Sequence, residues 1–258
     1  MKKNSDLTQG KILGPLMRFT LPIMAALILQ TLYGAVDLLV VGQFASPAAV
    51  SAVATGSQVL YSLTVIITGL AMGVTIIIGQ QFGQRKEHEI GNTVGAGICL
   101  FAALSLTLTA VMMFMTPVFV RLLQAPPEAF EYTVQYVMIC SAGILFIAAY
   151  NTLGSIFRGM GDARTPLIAV MIACGANIFL DLLFVAVFGL GASGAALATV
   201  LSQGISVLLS LIIIRKRGLI FPFSRKQIRF DRKIILRIIK MGAPCALQDL
   251  LVSISFLA

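Results

Sequence analysis

The sequence predicts an all-α fold: a polytopic transmembrane helical bundle of six helices with a partial seventh. Three observations predict it. Hydrophobic residues make up 58% of the 258-residue chain and charged residues 11%, where a soluble domain carries about 25% charge to cover its surface. The apolar stretches approach or exceed the roughly 20 residues that cross about 30 Å of hydrocarbon. The basic residues fall on alternate connections, 18 of the 19 on one side, as cytoplasmic loops do under the positive-inside rule.

Seven apolar segments follow one another, at about 15–41, 48–79, 91–120, 130–157, 166–188, 192–214 and 233–258. The first is too long for the 7–15-residue core of a cleavable signal and reads as a retained span. Ser46-Pro47 is an N-cap with proline in the first turn of the second helix. Gly189-Leu190-Gly191 is a tight break between the fifth and sixth. Lys2, Lys3, Lys11 and Arg18 precede the first helix, Arg85 and Lys86 follow the second, and Arg158 and Arg164 follow the fourth. A dense basic run follows the sixth, from Arg215 to Lys240. Only Arg121 lies on the other side. The amino terminus is therefore expected in the cytoplasm, with the protein a multi-pass component of a bacterial or archaeal inner membrane. The net charge of +9 is accounted for by this topology, without a nucleic-acid partner.

Residues 1–214 form the expected N-terminal bundle and 215–240 a basic cytoplasmic linker, its second part on the membrane surface. Residues 241–258 open helix seven. Arg18-Phe-Thr-Leu-Pro22 and Lys240-Met-Gly-Ala-Pro244 each set a basic residue four positions before a proline. Six helices separate them, so both share one orientation, as parallel repeats of secondary transporters do. On that reading the chain is the amino-terminal half of a longer protein, with the second bundle outside it.

The four cysteines (Cys99, Cys140, Cys174, Cys245) lie far apart in apolar segments, and the single histidine, His88, lies in a charged loop, so neither a disulfide framework nor a Cys/His metal site is indicated. No phosphate-binding loop, paired-acid motif or Ser/His/Asp set occurs, which disfavours a membrane enzyme. No cofactor is expected.

Chemistry is expected at the acids inside apolar segments: Asp37, Asp181 and Asp249. A carboxylate at mid-span costs about 2.5–3.5 kcal/mol on insertion scales, which water, a partner or a function must offset. Gln30, Tyr33 and Asp37 are spaced three and four apart, so they share one helix face directed to the bundle interior. Asn177 and Asp181 share another, and Thr199 adds a hydroxyl from the next helix. Amide, carboxylate and hydroxyl oxygens suit a hard monovalent cation or a proton. The alternative for each is a hydrogen-bonded structural seam. Asp249, near the start of helix seven, stays open between the two.

These residues resemble the MATE (multidrug and toxic compound extrusion) family. The resemblance runs from Pro22, Gln30, Tyr33 and Asp37 through Val41-Gly42 to the loop Phe157-Arg-Gly-Met-Gly-Asp-Ala-Arg-Thr-Pro166. It continues in Asn177, Asp181 and Gly194-Ala-Ala-Leu-Ala-Thr199. It implies half of a twelve-helix transporter whose two six-helix bundles open alternately. Such a protein exports organic cations and other amphipathic drugs in exchange for Na⁺ or H⁺, and is expected to be monomeric at full length. The resemblance also implies a cation site, for Na⁺ or H⁺, at Asp37, Asn177, Asp181 and Thr199. Gln30 and Tyr33 would be its polar surroundings, and Asn151 a looser match. Three readings compete with it: a lipid-linked oligosaccharide flippase of the same superfamily, a non-transporting assembly subunit, and an enzyme. A flippase would want cations inside the bundle to hold pyrophosphate, and no Lys or Arg sits mid-span.

Overall fold

The computed structural model describes residues 13–218 and 221–255. Lys2, Lys3 and Lys11 of the expected basic flank lie outside the described residues. Eight helices follow in order: α1 (Leu13–Phe44), α2 (Pro47–Gly83), α3 (Glu87–Leu122), α4 (Phe130–Ala142), α5 (Ile144–Gly159), α6 (Arg164–Asp181), α7 (Gly191–Arg217) and α8 (Arg232–Ser255). No strand occurs among the described residues. Helices α1, α2, α3, α6 with its extension, and α7 are long and apolar enough to cross a membrane, and α4 with α5 makes a sixth, bent span.

Local chemistry explains the boundaries. The Ser46 Oγ accepts from the Ala49 amide at 3.3 Å, and Pro47 opens α2, which occupies an amide otherwise left without a partner. The loop before α6 is tied by Asp162. Its carboxylate accepts from the Arg164 and Thr165 amides, each at 3.1 Å, and from the Thr165 hydroxyl at 2.6 Å. Arg217 then donates to the Thr165 oxygen at 3.3 Å, fixing the end of α7 to the start of α6. Gly161 (φ +80°) takes the left-handed turn there. At the other end of the bundle, Gly189 and Gly191, both at positive φ, make the break expected between α6 and α7. Before that break α6 loosens into a π-helical stretch, Leu182–Val187.

Three features differ from the sequence reading. The segment at 130–157 is two helices bent by 47° at Gly143. Val200 of α7 crosses so close that a Cβ on Gly143 would lie 2.5 Å from its methyl. The bend is a tertiary adjustment, and the hydropathy of an unbroken apolar run does not show it. His88 sits in the first turn of α3, beside Glu89 at 3.9 Å, and not in a loop. Finally, regular helix takes both ends of the basic 215–240 segment.

Ile235 and Ile238 of α8 fall on one face and are buried, and α8 packs mainly on α2. Gly69 and Gly73 of α2 meet Ala246, Gly242 and the Ile238 carbonyl of α8 at backbone contact. A Cβ on Gly242 would lie 2.7 Å from the Leu70 Cα. Small residues let helices approach this closely in membranes. Between α7 and α8 the chain crosses α3, where Gln227 fills the space left by Gly91 and Gly95.

Candidate functional site

α1 lies against α6, and its polar face meets α7 and, through a hydrogen bond from Gln30 to Tyr150, α5 as well. That arrangement converts a stripe on one helix into a site between four. Asp37 is 4% exposed, and Asp181 and Asn177 are fully buried. Thr199 of α7 donates from its hydroxyl to Asp37 Oδ2 at 3.1 Å. Asp181 and Asn177 of α6 face the same carboxyl, so two acids on neighbouring helices share one buried chamber. Tyr33, one turn earlier on α1, shares a hydrogen with the Ser202 hydroxyl at 2.7 Å and donates to the Thr199 carbonyl at 3.3 Å. Gln30, another turn back, donates to the Tyr150 hydroxyl at 3.2 Å. Tyr136 of α4 is directed to α2, where its hydroxyl lies 3.2 Å from the Ser57 Oγ.

The chamber is under-satisfied. Asp37 Oδ1, Asp181 and Asn177 are buried, and they have no hydrogen-bond partner outside their own cluster. Most buried side-chain polar atoms have one, and each exception calls for an explanation. Carboxylate, amide and hydroxyl oxygens converge here with no basic side chain among them. Such a donor set fits a proton shared between carboxyls or a hard monovalent cation, with Asp37, Asp181, Asn177 and Thr199 as its ligands. Bound there, either would cancel charge that the apolar surroundings penalise.

The other residues singled out from sequence fall elsewhere. Asn151 accepts from Thr68 of α2 at 3.3 Å and donates to its own helix at the Ile147 carbonyl at 2.9 Å. It belongs to the α2–α5 packing and makes no hydrogen bond to the Asp37 group. Its neighbour Tyr150 is the α5 residue that joins the polar face. Asp249 lies on the exposed face of α8. Sequence reasoning missed Tyr150 and Ser202. A tyrosine and a serine in apolar helices carry no signal alone, although the four-residue recurrence of serine on α7 was available.

A bundle of long apolar helices around an unpaired acid cluster is the class of an integral membrane transport protein, and the comparisons give the family. A family model described as MatE matches residues 22–183, and the chain belongs to that family. It is 33% identical over 251 residues to the probable multidrug resistance protein YpnP of Bacillus subtilis (strain 168), covering 97% of this chain and 56% of that protein. It is 27% identical over 247 residues to the probable multidrug resistance protein YoeA of the same organism, covering 93% and 53%. A crystal structure of MATE in the bent conformation superposes with a TM-score of 0.91 at 28% identity, over all of this chain and 57% of that one. The chain thus spans about half the length of the curated relatives it matches.

Proposed function

We propose that the chain works within a secondary active exporter that expels organic cations or amphipathic drugs in exchange for Na⁺ or H⁺. Asp37 and Asp181 would form its coupling site. The observation that carries this reading is a pair of buried carboxyls that face each other across α1 and α6 with no basic side chain between them. A structural polar seam would satisfy its own atoms. An ion-coupled site must instead offer unfilled valence to an ion that comes and goes. The relatives named for multidrug resistance support the cargo class, as does an interior where carboxyls face no lysine or arginine.

The basic ends of the helices are taken as cytoplasmic, by the positive-inside rule, and the bundle as lying in the inner membrane. Binding a proton or Na⁺ at the pair cancels charge between α1 and α6. Pro22 inside α1 gives the Arg18 carbonyl no amide partner, and Gly34 has open space beside it. α1 can therefore bend when the charge that holds it to α6 and α7 changes. Cation and cargo then compete through opposite preferences for the two shapes.

Ethidium efflux from cells expressing the full-length protein, across imposed Na⁺ and pH gradients, tests this. Gradient-driven efflux lost in Asp37→Asn at equal membrane abundance is the expected result. Undiminished efflux in that variant overturns the assignment of Asp37, and no efflux in the wild type moves the oligosaccharide-flippase reading ahead.

A further inference from the structure

Beside Tyr33, on the basic side of the carboxyl pair, lies a cavity of about 30 Å³ that is lined in part by Gln30, Tyr33, Tyr150, Gln203 and Ser206. About 10–15 Å³ on this measure admits one water molecule, given two to four polar partners. The cavity therefore has room for two, and five polar side chains from three helices to hold them. Ser206 is 1% exposed, and its hydroxyl is buried without a partner.

The serine belongs to a pattern. The buried face of α7 begins with Ala192, Ala195, Ala196 and Ala198, then changes to Ser202, Ser206 and Ser210. Close helix packing asks only for small residues and is met by alanine over the first two turns. The change to hydroxyls starts just past Thr199, the residue bonded to Asp37. At 1.5 Å per residue, Ser206 lies about 10 Å and Ser210 about 16 Å beyond Thr199 towards the basic end.

We propose that this cavity holds water, and that with Tyr33, Ser202 and Ser206 it forms the inner leg of a proton path from the Asp37–Asp181 carboxyls towards the cytoplasm. The proposal rests on the carboxyl pair being the coupling site, and it names the coupling ion as H⁺. The step is a relay. A carboxyl O–H bond breaks as its proton passes to a hydroxyl or water oxygen. Each oxygen gives its other proton onward, and bulk water on the basic side takes the last. No group in the lane changes, and one carboxylate is left behind. A sodium ion would find no carboxylate beyond the pair among the residues that line this cavity. A proton moving by exchange between oxygens needs neither an ion-sized bore nor a negative wall.

The test uses the full-length protein in vesicles of phosphatidylethanolamine and phosphatidylglycerol, with ethidium as cargo and an entrapped or external pH dye. Rapid mixing with ethidium reads two quantities, the number of protons released and the rate of release. Ser206→Val fills the cavity, and Ser206→Ala removes only the hydroxyl. Both are expected to release the wild-type number of protons, but more slowly, by about tenfold or more for Ser206→Val, since positioned proton-transfer groups contribute about 10²–10⁴ in rate. The alanine variant keeps the test decisive where the valine variant fails to fold. Wild-type release rates in both variants overturn the path while leaving the carboxyl pair in place. Ethidium movement by the wild type that releases no proton and exchanges Na⁺ overturns it as well. Proton release intact in Asp37→Asn instead removes the coupling-site reading beneath it.

Discussion

Asp181→Asn separates a coupling carboxylate from a structural one, because the two roles predict opposite signs for stability. Asp181 is fully buried, and its carboxyl faces only that of Asp37, so any charge on it has no base to balance it. A buried polar group left unsatisfied costs about 1–3 kcal/mol, more when charged. Asparagine keeps the shape, removes the charge and can donate to the neighbouring carboxyl of Asp37. The substitution should therefore stabilise the folded protein by about 1–3 kcal/mol, or a rise in Tm of about 2–12 °C on the scaling for domains of 150–250 residues. The same change should abolish ion-coupled ethidium efflux. The pairing of greater stability with lost activity marks a site that keeps a costly group for use. Thermal unfolding can be followed with a thiol-reactive dye in a background where the partly buried Cys99, Cys174 and Cys245 are replaced by alanine, leaving the buried Cys140 to react when the helices part. A fall in Tm would refute the reasoning. It would mean that Asp181 is held by favourable contacts, and that the cluster is a seam.

Thr199→Val keeps the volume of the side chain and removes the donor to Asp37. Hydrogen bonds to charged groups contribute about 1.5–3 kcal/mol, so half-maximal drive for efflux should shift by about tenfold or more in ion concentration. Asn151→Ala should leave that value unchanged, because Asn151 bonds to α2 and to its own helix. Gly73→Val would push a side chain into the backbone of α8. It should free α8 from α2, read as new protease cleavage in the connection between α7 and α8 at unchanged helix content. Resistance equal to wild type would show that the seam tolerates side chains.

The acid stripe on α1 was legible because a carboxylate in an apolar helix is costly, and spacing alone puts Gln30, Tyr33 and Asp37 on one face. Periodicity also gave six of the spans and the glycine break before α7. It did not give the bend at Gly143, where Val200 of α7 leaves no room for a side chain, or the backbone contact of α8 with the glycines of α2.

The sequence by itself determined that this chain is a membrane bundle, which ends of its helices are basic, and that its interior holds acids without compensating bases. Those properties follow from transfer free energy, which is counted residue by residue. Tertiary structure alone decided that Thr199 reaches Asp37 and that Asp181 faces the same chamber. It also brought Tyr150 to Gln30 and set Ser206 in the wall of a cavity. Each of these depends on the rotation of one helix against another, which packing of side chains distant in sequence sets and no local pattern encodes.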